Sequence, residues 1–404
     1  MADPKGETAG NPGALAGIRV LDLGLLVQAP QAAQLLGDLG AEVIKVELPG
    51  LGDQARWIPI SLEDLRAPFF IGCNRGKRSL TLDLRKDRGR DVFLSLADTA
   101  DVIVSNFLPG TLDRWGLGYD VLAARNPGLI YATGSTFGSQ GPDADRKGAD
   151  IAGQAAGGLI ARTPSAHRTP VGVVIADHIG SQNMANGVLA ALFARERSGR
   201  GQQVEVSLYG GQIYAQASEY TFTCLTGENP GEVDGGHQGI PLVYGIVPTA
   251  DGHLAIVGVA SHERENFFNA IGRPDLLADK RFESLVLAPD VRHELFEELE
   301  KTFRTRPTAD WEGVLRSLGQ RYARVQDYTD VMSDEGAYAN GYLQRVEHPE
   351  WGEIPMVGSP IRLSDTPARP GQIAPELGQH TEEILLELGL SWETIASLRA
   401  QGVV

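Results

Sequence analysis

Asp177 is the side chain whose type and position could do chemistry most directly. It lies in the run VVIADHI at 173–179, just before a segment with the apolar spacing of a long helix. Free amides and the positive end of the dipole at a helix start can hold a carboxylate as an anion, and a carboxylate can attack an acyl carbon. The usual role of an aspartate at such a position is a plain N-cap. The local sequence therefore leaves two roles open, a nucleophile and a cap.

A dense basic segment lies between residues 75 and 90, where seven basic residues face only Asp83 and Asp87. In an acidic protein this concentration favours a phosphate-rich ligand, because arginine and lysine bind phosphate directly. A solvated helix face would have the same composition, and the local sequence does not separate the two interpretations. The basic residues are Arg75, Lys77, Arg78, Arg85, Lys86, Arg88 and Arg90.

Four familiar motifs are incomplete in this chain. Residues 72–79 contain a glycine-rich GK pair followed by arginine, whereas a P-loop has a longer gap and then serine or threonine for magnesium. No GxGxxG opens a helix after the first predicted strand, which argues against a nicotinamide oxidoreductase. His262 and His293 each begin an HExxH-like string without its second histidine, and the serine within 134–138 is misplaced for a nucleophile elbow.

Composition narrows the class of protein further. The chain has 404 residues, with 36 Lys and Arg against 52 Asp and Glu, giving a net charge of −16. This length predicts two domains, and the acidic balance argues against nucleic acid or an anionic membrane as a partner. Cys73 and Cys224 are far apart and indicate reduced thiols. Without a signal-peptide pattern or an apolar run of about 18 residues, we expect a soluble, cytoplasmic protein.

Short apolar runs rich in β-branched residues alternate with helical segments, which is typical of a mostly parallel sheet covered on both faces. We therefore predict an α/β fold with a doubly wound large domain and a smaller α+β domain. The predicted strands are 18–23, 42–46, 101–104, 129–132, 204–208, 254–257, 344–346 and 360–363, and the predicted helices are 32–39, 86–97, 181–197, several within 263–305, 381–388 and 392–401. The predicted domains are a flexible arm at 1–14, a large domain at 15–224, a small domain at 225–325 and a return to the large domain at 326–404.

Several longer runs resemble, in order, the motifs of the family III CoA-transferases. The resemblance extends from residue 15 to the C-terminus and is weakest over 225–325. The matching runs are LAGIRVLDL at 15–23, QAP at 28–30, LGDLGAEVIKVELP at 36–49, Asn74 with KRSLTLDL at 77–84, ADVIVSNFLPG at 100–110, NPGLIY at 126–131, GSQGP at 138–142 and GQHTEEILLELG at 378–389.

The resemblance implies a Rossmann-like large domain, a smaller domain and two protomers interlocked like chain links. It also implies that acyl-CoA and a carboxylic acid are the substrates, with no tightly bound cofactor and no metal. Asp177 then aligns with the aspartate that attacks the acyl-CoA, and the basic segment becomes the expected neighbourhood of the CoA phosphates. The implied CoA-binding residues are Gln28, Ala29, Leu82, Asp83, Leu84, Arg85, Asn106, Phe107, Arg114 and Lys147, and the implied glycine-rich loop over the acyl site holds Gly235, Gly236, His237 and Gln238.

The activity implied is transfer of CoA from an acyl-CoA, with succinyl-CoA the expected donor, to a free carboxylic acid. An aspartyl anhydride and then an aspartyl-CoA thioester form on Asp177 in this scheme. A 2-methylacyl-CoA racemase of the same family is an alternative, but Ala149 stands where those enzymes carry a histidine base, and the adjacent His178 is expected to point elsewhere. A subunit of a heteromeric transferase is a further alternative. His237, Gln238 and Tyr244 are candidates for the acyl pocket.

Overall fold

Six parallel strands form the central sheet of the computed structural model, which describes residues 13–163, 168–232, 240, 243–283, 289–371 and 373–404. Their order across the sheet is β3-β2-β1-β4-β5-β6, which is the order of a Rossmann-like, doubly wound fold. The strands are β1 (Arg19–Asp22), β2 (Glu42–Glu47), β3 (Arg78–Thr81), β4 (Val102–Ser105), β5 (Ile130–Ser135) and β6 (Gln203–Ser207).

Helices cover both faces of this sheet because neighbouring residues of each strand point to opposite sides. Leu21 of β1 packs into one core and Val20 into the other. The first eight helices are α1 (Gln28–Asp38), α2 (Pro68–Asn74), α3 (Asp87–Ala97), α4 (Thr111–Arg114), α5 (Tyr119–Arg125), α6 (Asp150–Ala156), α7 (Ile175–Ser198) and α8 (Leu208–Ala215). Helices α1 and α7 cover the Val20 face, and α3 and α5 cover the Leu21 face.

The chain divides into two compact units, of which the first contains 1–160, 170–217 and 335–404 and the second contains 161–169 and 218–334. The second unit has a three-stranded antiparallel sheet and its own apolar core. Its elements are α9 (Ala217–Thr226), β7 (Tyr244–Pro248), β8 (His253–Val257), α10 (Arg264–Ala270), α11 (Pro274–Ala278), α12 (Pro289–Phe303), α13 (Thr308–Ser317), β9 (Tyr322–Arg324) and α14 (Tyr328–Met332).

The last part of the first unit adds a hairpin and two helices. The elements are α15 (Glu335–Ala339), β10 (Leu343–His348), β11 (Gly352–Val357), α16 (Thr381–Glu387) and α17 (Trp392–Ala400). Helices α16 and α17 complete the core on the Leu21 face. Among the described residues, no helix is both long enough and apolar enough to cross a membrane.

The structure lacks one predicted strand and contains several elements that were not predicted. The strand expected at 360–363 is absent, since the chain leaves β11 at Val357 and continues without a strand partner. Helix α2 and strand β3 were not predicted, because the basic residues of 75–90 obscured the short apolar pattern of β3. The second unit also begins before 225 and ends after 325, with α9 and α14 included and 161–169 added.

Candidate active site

The carboxyl ends of β1 and β4 mark the point where the strand order reverses, which is where open α/β sheets bind ligands. A cavity of about 420 Å³ lies at this edge. It brings together five of the residues that the sequence analysis selected: Gln28, Asn106, Phe107, Lys147 and Asp177. Residues after β5, including Ser135 and Phe137, and Leu208 after β6 complete its wall.

Asp177 reaches this cavity from the first turn of α7. The helix begins at Ile175, six residues before the predicted start, and its N-cap residue is Val174, which offers no capping side chain. Capping comes instead from Asp150 of α6, whose Oδ1 accepts from the amides of Ala176 at 2.7 Å and Asp177 at 3.2 Å. The N-cap role considered for Asp177 is therefore wrong, and its carboxylate accepts no hydrogen bond from the described residues.

Burial and, to a lesser extent, the negative charge of Asp150 raise the pKa of Asp177 to about 7. This corrects the expectation that free helix amides stabilise the carboxylate, because Asp150 already occupies the amides that could do so. Gln154 Nε2 donates to Asp150 Oδ2 at 2.6 Å and fixes that second carboxylate. Sequence reasoning placed Asp150 only where racemases of the family carry an aspartate. It did not identify the capping role of Asp150 or the contact with Gln154, whose local signal is an Asp-x-x-x-Gln spacing on a short helix.

Gln28 is a second notable group of the cavity. Its side chain fits against Gly134 of β5 and Gly180 of α7, where an added Cβ would lie 2.2 Å from Gln28 Oε1 and 2.8 Å from Gln28 Nε2. The buried Nε2 atom has no hydrogen-bond partner among the described residues. A buried donor without an acceptor is costly, so this amide is available to an oxygen of a ligand in the cavity.

Asn106 links the two loops that meet at the strand-order reversal. Its Oδ1 accepts from the amide of Leu25 at 2.8 Å, and its Nδ2 donates to the carbonyl of Leu25, also at 2.8 Å. Both ends of the side-chain amide are therefore used within the protein. Asn106 lines the cavity and at the same time fixes the loop between β1 and α1.

A second cavity of about 280 Å³ continues the first across the ends of β2 and β3, and the two share Leu25, Gln54 and Phe107. Trp57 and Trp115 line it. The predicted CoA-binding residues Leu82, Asp83, Leu84 and Arg85 also line it. Arg85 Nε donates to Asp83 Oδ1 at 2.8 Å, so the exposed guanidinium is held at the rim. The two cavities form one groove along the carboxyl edge of the sheet.

Other predicted residues lie elsewhere. Ala29 is fully buried beside Gln28 and lines neither cavity. Arg114 is exposed on α4, donates to Thr111 Oγ1 at 2.9 Å and lines neither cavity. Tyr244 begins β7 in the second unit. Gly235, Gly236, His237 and Gln238 lie outside the described residues.

Most residues of the basic segment make ion pairs or polar contacts within the chain. Arg75 pairs with Asp38 and Lys77 with Asp22, both inside the fold. The other ion pairs and polar contacts join Arg78 to Glu42, Glu383 and Glu387, Arg90 to Asp87, and Lys86 to the carbonyls of Gln401 and Gly402. Of the seven basic residues, Arg85 alone lines the groove. Acidic side chains of the same chain therefore pair with five of the seven basic residues.

His178 points away from the cavity that holds Asp177. Its Nδ1 lies 2.7 Å from Gln31 Oε1, and both side chains line a separate cavity on the other side of the α7 start. Ala149 lines the Asp177 cavity and has no titratable group. The described residues therefore provide no histidine opposite Asp177, and they contain no cluster of three or more His, Cys, Asp or Glu suited to a metal.

Comparison with known proteins gives consistent results over nearly the whole chain. Residues 15–381 match the model of CoA-transferase family III, which confirms the resemblance found in the motifs. A succinyl-CoA–D-citramalate CoA-transferase from Chloroflexus aurantiacus is 36% identical over 97% of this chain and 98% of its own. A succinyl-CoA:mesaconate CoA-transferase from Haloarcula hispanica is 35% identical over 95% and 98%.

A further relative and two solved structures extend the comparison. A formyl-CoA:oxalate CoA-transferase from Streptomyces coelicolor is 33% identical over 97% of this chain and 99% of its own. The crystal structure of a CaiB/BaiF family protein from Brucella suis has a TM-score of 0.83 and 30% identity, covering 94% of this chain and 100% of that one. The crystal structure of an aspartate-to-alanine mutant of a Mycobacterium tuberculosis protein has a TM-score of 0.80 and 32% identity, covering 93% and 99%.

Proposed function

This chain belongs to CoA-transferase family III and is a CoA-transferase, and from that premise we propose that it transfers CoA from succinyl-CoA to a free carboxylic acid through covalent intermediates on Asp177. One observation supports Asp177 above all. It is a largely buried carboxylate that accepts no hydrogen bond from the described residues and lies in the cavity at the strand-order reversal. A carboxylate left unpaired at this place is suited to react.

The first half of the reaction transfers CoA to the enzyme. An oxygen of Asp177 attacks the thioester carbonyl, the carbon–sulfur bond breaks, and an aspartyl–succinyl anhydride and CoA thiolate result. The thiolate then attacks the Asp177 carbonyl carbon and releases succinate, which leaves an aspartyl-CoA thioester. Splitting the exchange into these steps is nucleophilic covalent catalysis.

The second half repeats the same chemistry in reverse. The acceptor carboxylate attacks the aspartyl thioester and expels the CoA thiolate, so that a new anhydride forms. The thiolate attacks the acceptor carbonyl, and the new acyl-CoA leaves with Asp177 restored as a carboxylate. One thioester is exchanged for another, so the overall free-energy change is close to zero and the reaction consumes no ATP.

Two groups of the cavity have roles in this scheme. The unpartnered Nε2 of Gln28 donates to an oxygen of the bound thioester, where negative charge develops during attack. The groove from Asp177 past Phe107 to Leu82–Arg85 accommodates the pantetheine chain, and Lys147 and Arg85 provide positive charge along it. The aspartyl and acyl intermediates hydrolyse readily, so the reaction needs a site from which water is excluded.

The proposed activity is tested by product analysis. The purified protein is incubated with succinyl-CoA and a panel of free acids that includes D-citramalate, mesaconate, glutarate and oxalate, and new acyl-CoA products are identified by mass spectrometry. We expect at least one acid to be converted and Asp177→Asn to abolish conversion. Full turnover by the Asp177→Asn enzyme would refute the assignment of the nucleophile.

A further inference from the structure

A row of buried charged side chains lies beneath the loop that joins β1 to α1. Asp22, Lys45 and Ser79 are register partners on β1, β2 and β3, and all three are fully buried. Lys45 Nζ lies 2.9 Å from Asp53 Oδ2 and 3.5 Å from Asp22 Oδ2. Lys77 Nζ lies 2.7 Å from the same Asp22 oxygen. Two lysines and two aspartates therefore form one buried cluster, which we call the lysine–aspartate cluster.

This cluster is expensive to maintain inside a core. A buried ion pair loses hydration, and replacement by apolar residues is often neutral or stabilising. Neither Asp22, Lys45, Asp53 nor Lys77 lines the groove, so none of them contacts substrate directly. Their presence in the core requires another explanation.

The cluster binds the backbone of the β1–α1 loop and the first turn of α1 at four points. Asp22 Oδ1 accepts from the Gly24 amide at 2.7 Å, and Lys45 Nζ donates to the Gly24 carbonyl at 2.9 Å. Asp53 Oδ1 accepts from the Leu26 amide at 2.9 Å. Lys77 Nζ donates to the Pro30 carbonyl at 2.7 Å. Because Asn106 holds Leu25, side chains from outside the loop determine the path of residues 24–26.

The loop needs this support because its conformation is strained. Leu26 has φ of +62°, and it is the only non-glycine residue with positive φ in the described part of the chain. A leucine in the left-handed region is strained, because its Cβ lies too close to the following carbonyl oxygen. Such backbone persists only where the surroundings determine it. Leu25, Leu26 and Gln28 all line the cavity with Asp177, so the strained loop shapes the substrate site.

We propose that Lys45 and Lys77 are positioning residues that hold the β1–α1 loop in the conformation that binds the CoA thioester. They act through the loop backbone and not by contact with substrate. The proposal rests on the proposed placement of CoA in the groove, and it adds the cluster as the reason why Gln28 is in position before the substrate arrives.

The test replaces the shared charges together. Removal of one partner leaves an uncompensated buried charge, so the main variant is the double replacement Asp22→Asn with Lys77→Met. The amide introduced by Asp22→Asn keeps an oxygen for the Gly24 amide, whereas the Pro30 carbonyl loses its donor. Arg19→Met is the matched control, because Arg19 pairs with Glu42 at 2.7 Å on the same two strands at their opposite end.

Three quantities are measured: the Kd of CoA by calorimetry, the steady-state constants, and hydrogen exchange at residues 24–30. In the double variant we expect CoA to bind about tenfold more weakly and kcat/KM to fall by at least as much, because the relaxed loop no longer holds Gln28 in position. The loop amides are expected to exchange about tenfold faster. The Arg19→Met enzyme is expected to match the wild type. A folded double variant with unchanged CoA affinity would overturn the proposal.

A milder variant and a measurement on the wild type keep the proposal testable if the double variant does not fold. Lys77→Gln leaves Asp22 beside Lys45 and retains a donor, and it is expected to weaken CoA binding in the same direction. In the wild type, the amides of Gly24 and Leu26 should exchange as slowly as those of β1; exchange as fast as in the exposed turn at 61–64 would refute the cluster's role. If CoA does not slow hydrogen exchange at residues 24–30 in the wild type, the proposed CoA site is wrong. Loss of activity in Asp177 variants tests only the covalent step, so the two failures can be distinguished.

Discussion

At the scale of single residues, the protonation of Asp177 decides whether the nucleophile is ready. Only the carboxylate attacks a thioester, and burial together with Asp150 raises the pKa of Asp177 to about 7. We therefore expect kcat/KM to rise with pH up to about 7 and to level off above it, since this profile reports ionisations of the free enzyme. The measurement is the pH dependence of kcat/KM for succinyl-CoA in a constant-ionic-strength buffer series.

The Asp150→Asn variant tests the second cause of this shift. Removing the negative charge beside Asp177 favours its ionised form, so the rising limb should move toward lower pH. Burial, the larger cause, remains, and the limb should stay above that of an ordinary aspartate. Gln154→Met is the control, because it removes the partner of Asp150 and keeps the charge. A limb that does not move in the Asp150→Asn enzyme would show that Asp150 does not influence Asp177.

The same raised pKa makes a prediction for stability. The folded form binds the Asp177 proton more tightly than the unfolded chain, so stability falls as pH rises from about 4 to about 7. The full pKa difference corresponds to about 4 kcal/mol, which partial solvent exposure reduces to about 2 kcal/mol. Asp177→Asn should therefore unfold at a higher temperature than the wild type at pH 8, and at nearly the same temperature at pH 4. Asp145→Asn, at an exposed site, is the control for both pH values in differential scanning calorimetry.

At the scale of elements, the start of α7 separates what the sequence could predict from what it could not. The apolar positions from Met184 onward predicted the helix, but its first turn has no such pattern and is capped by Asp150 from another helix. A cap supplied by a residue 26 positions away has no local signal. Most strands of the large sheet were predicted, because a strand buried on both faces needs a continuous apolar, β-branched run. Such a run is visible in the local sequence, unlike a cap from a distant helix.

Close packing between α1 and α7 gives a prediction at this scale. Alanine in place of a helical glycine usually stabilises a helix by up to about 1 kcal/mol. At Gly313 of α13 nothing lies within 4 Å of an added Cβ, so Gly313→Ala should stabilise without any change in kinetics. At Gly180 the Cβ would lie 2.8 Å from Gln28 Nε2 and 3.0 Å from Leu208 Cδ2. Gly180→Ala should displace Gln28 and lower kcat/KM about tenfold or more; equal kinetics for both variants would contradict the role given to Gln28.

The basic segment shows what a local count of charges leaves out, namely the partners of those charges in the fold. Arg75, Lys77 and Arg78 predicted a phosphate site only while their partners were unknown, and those partners lie on other elements. Leu82–Arg85, Phe107 and Asn106 come together in the groove from separate segments of the chain. Composition does not contain these distances in the fold, so the local sequence left both interpretations of the segment open.

At the scale of the whole molecule, we propose that the protein is a homodimer. Helices α7 and α8 leave Phe193 66% and Tyr214 77% exposed, and contact with a second copy of the chain would remove such apolar surface from water. Light scattering should give a mass of twice the chain mass of 43.3 kDa. If the protomers interlock, tagged and untagged dimers should not exchange subunits without unfolding. A monomer at micromolar concentration would contradict the proposal.

The covalent step on Asp177 is tested most directly by trapping it. The enzyme is incubated with succinyl-CoA and hydroxylamine, which cleaves an aspartyl anhydride or thioester, and is then digested for peptide mass spectrometry. We predict a hydroxamate on Asp177 that requires succinyl-CoA, with activity lost in proportion to its formation. Full turnover in hydroxylamine with Asp177 unmodified, or a hydroxamate on a different residue, would contradict the proposed mechanism.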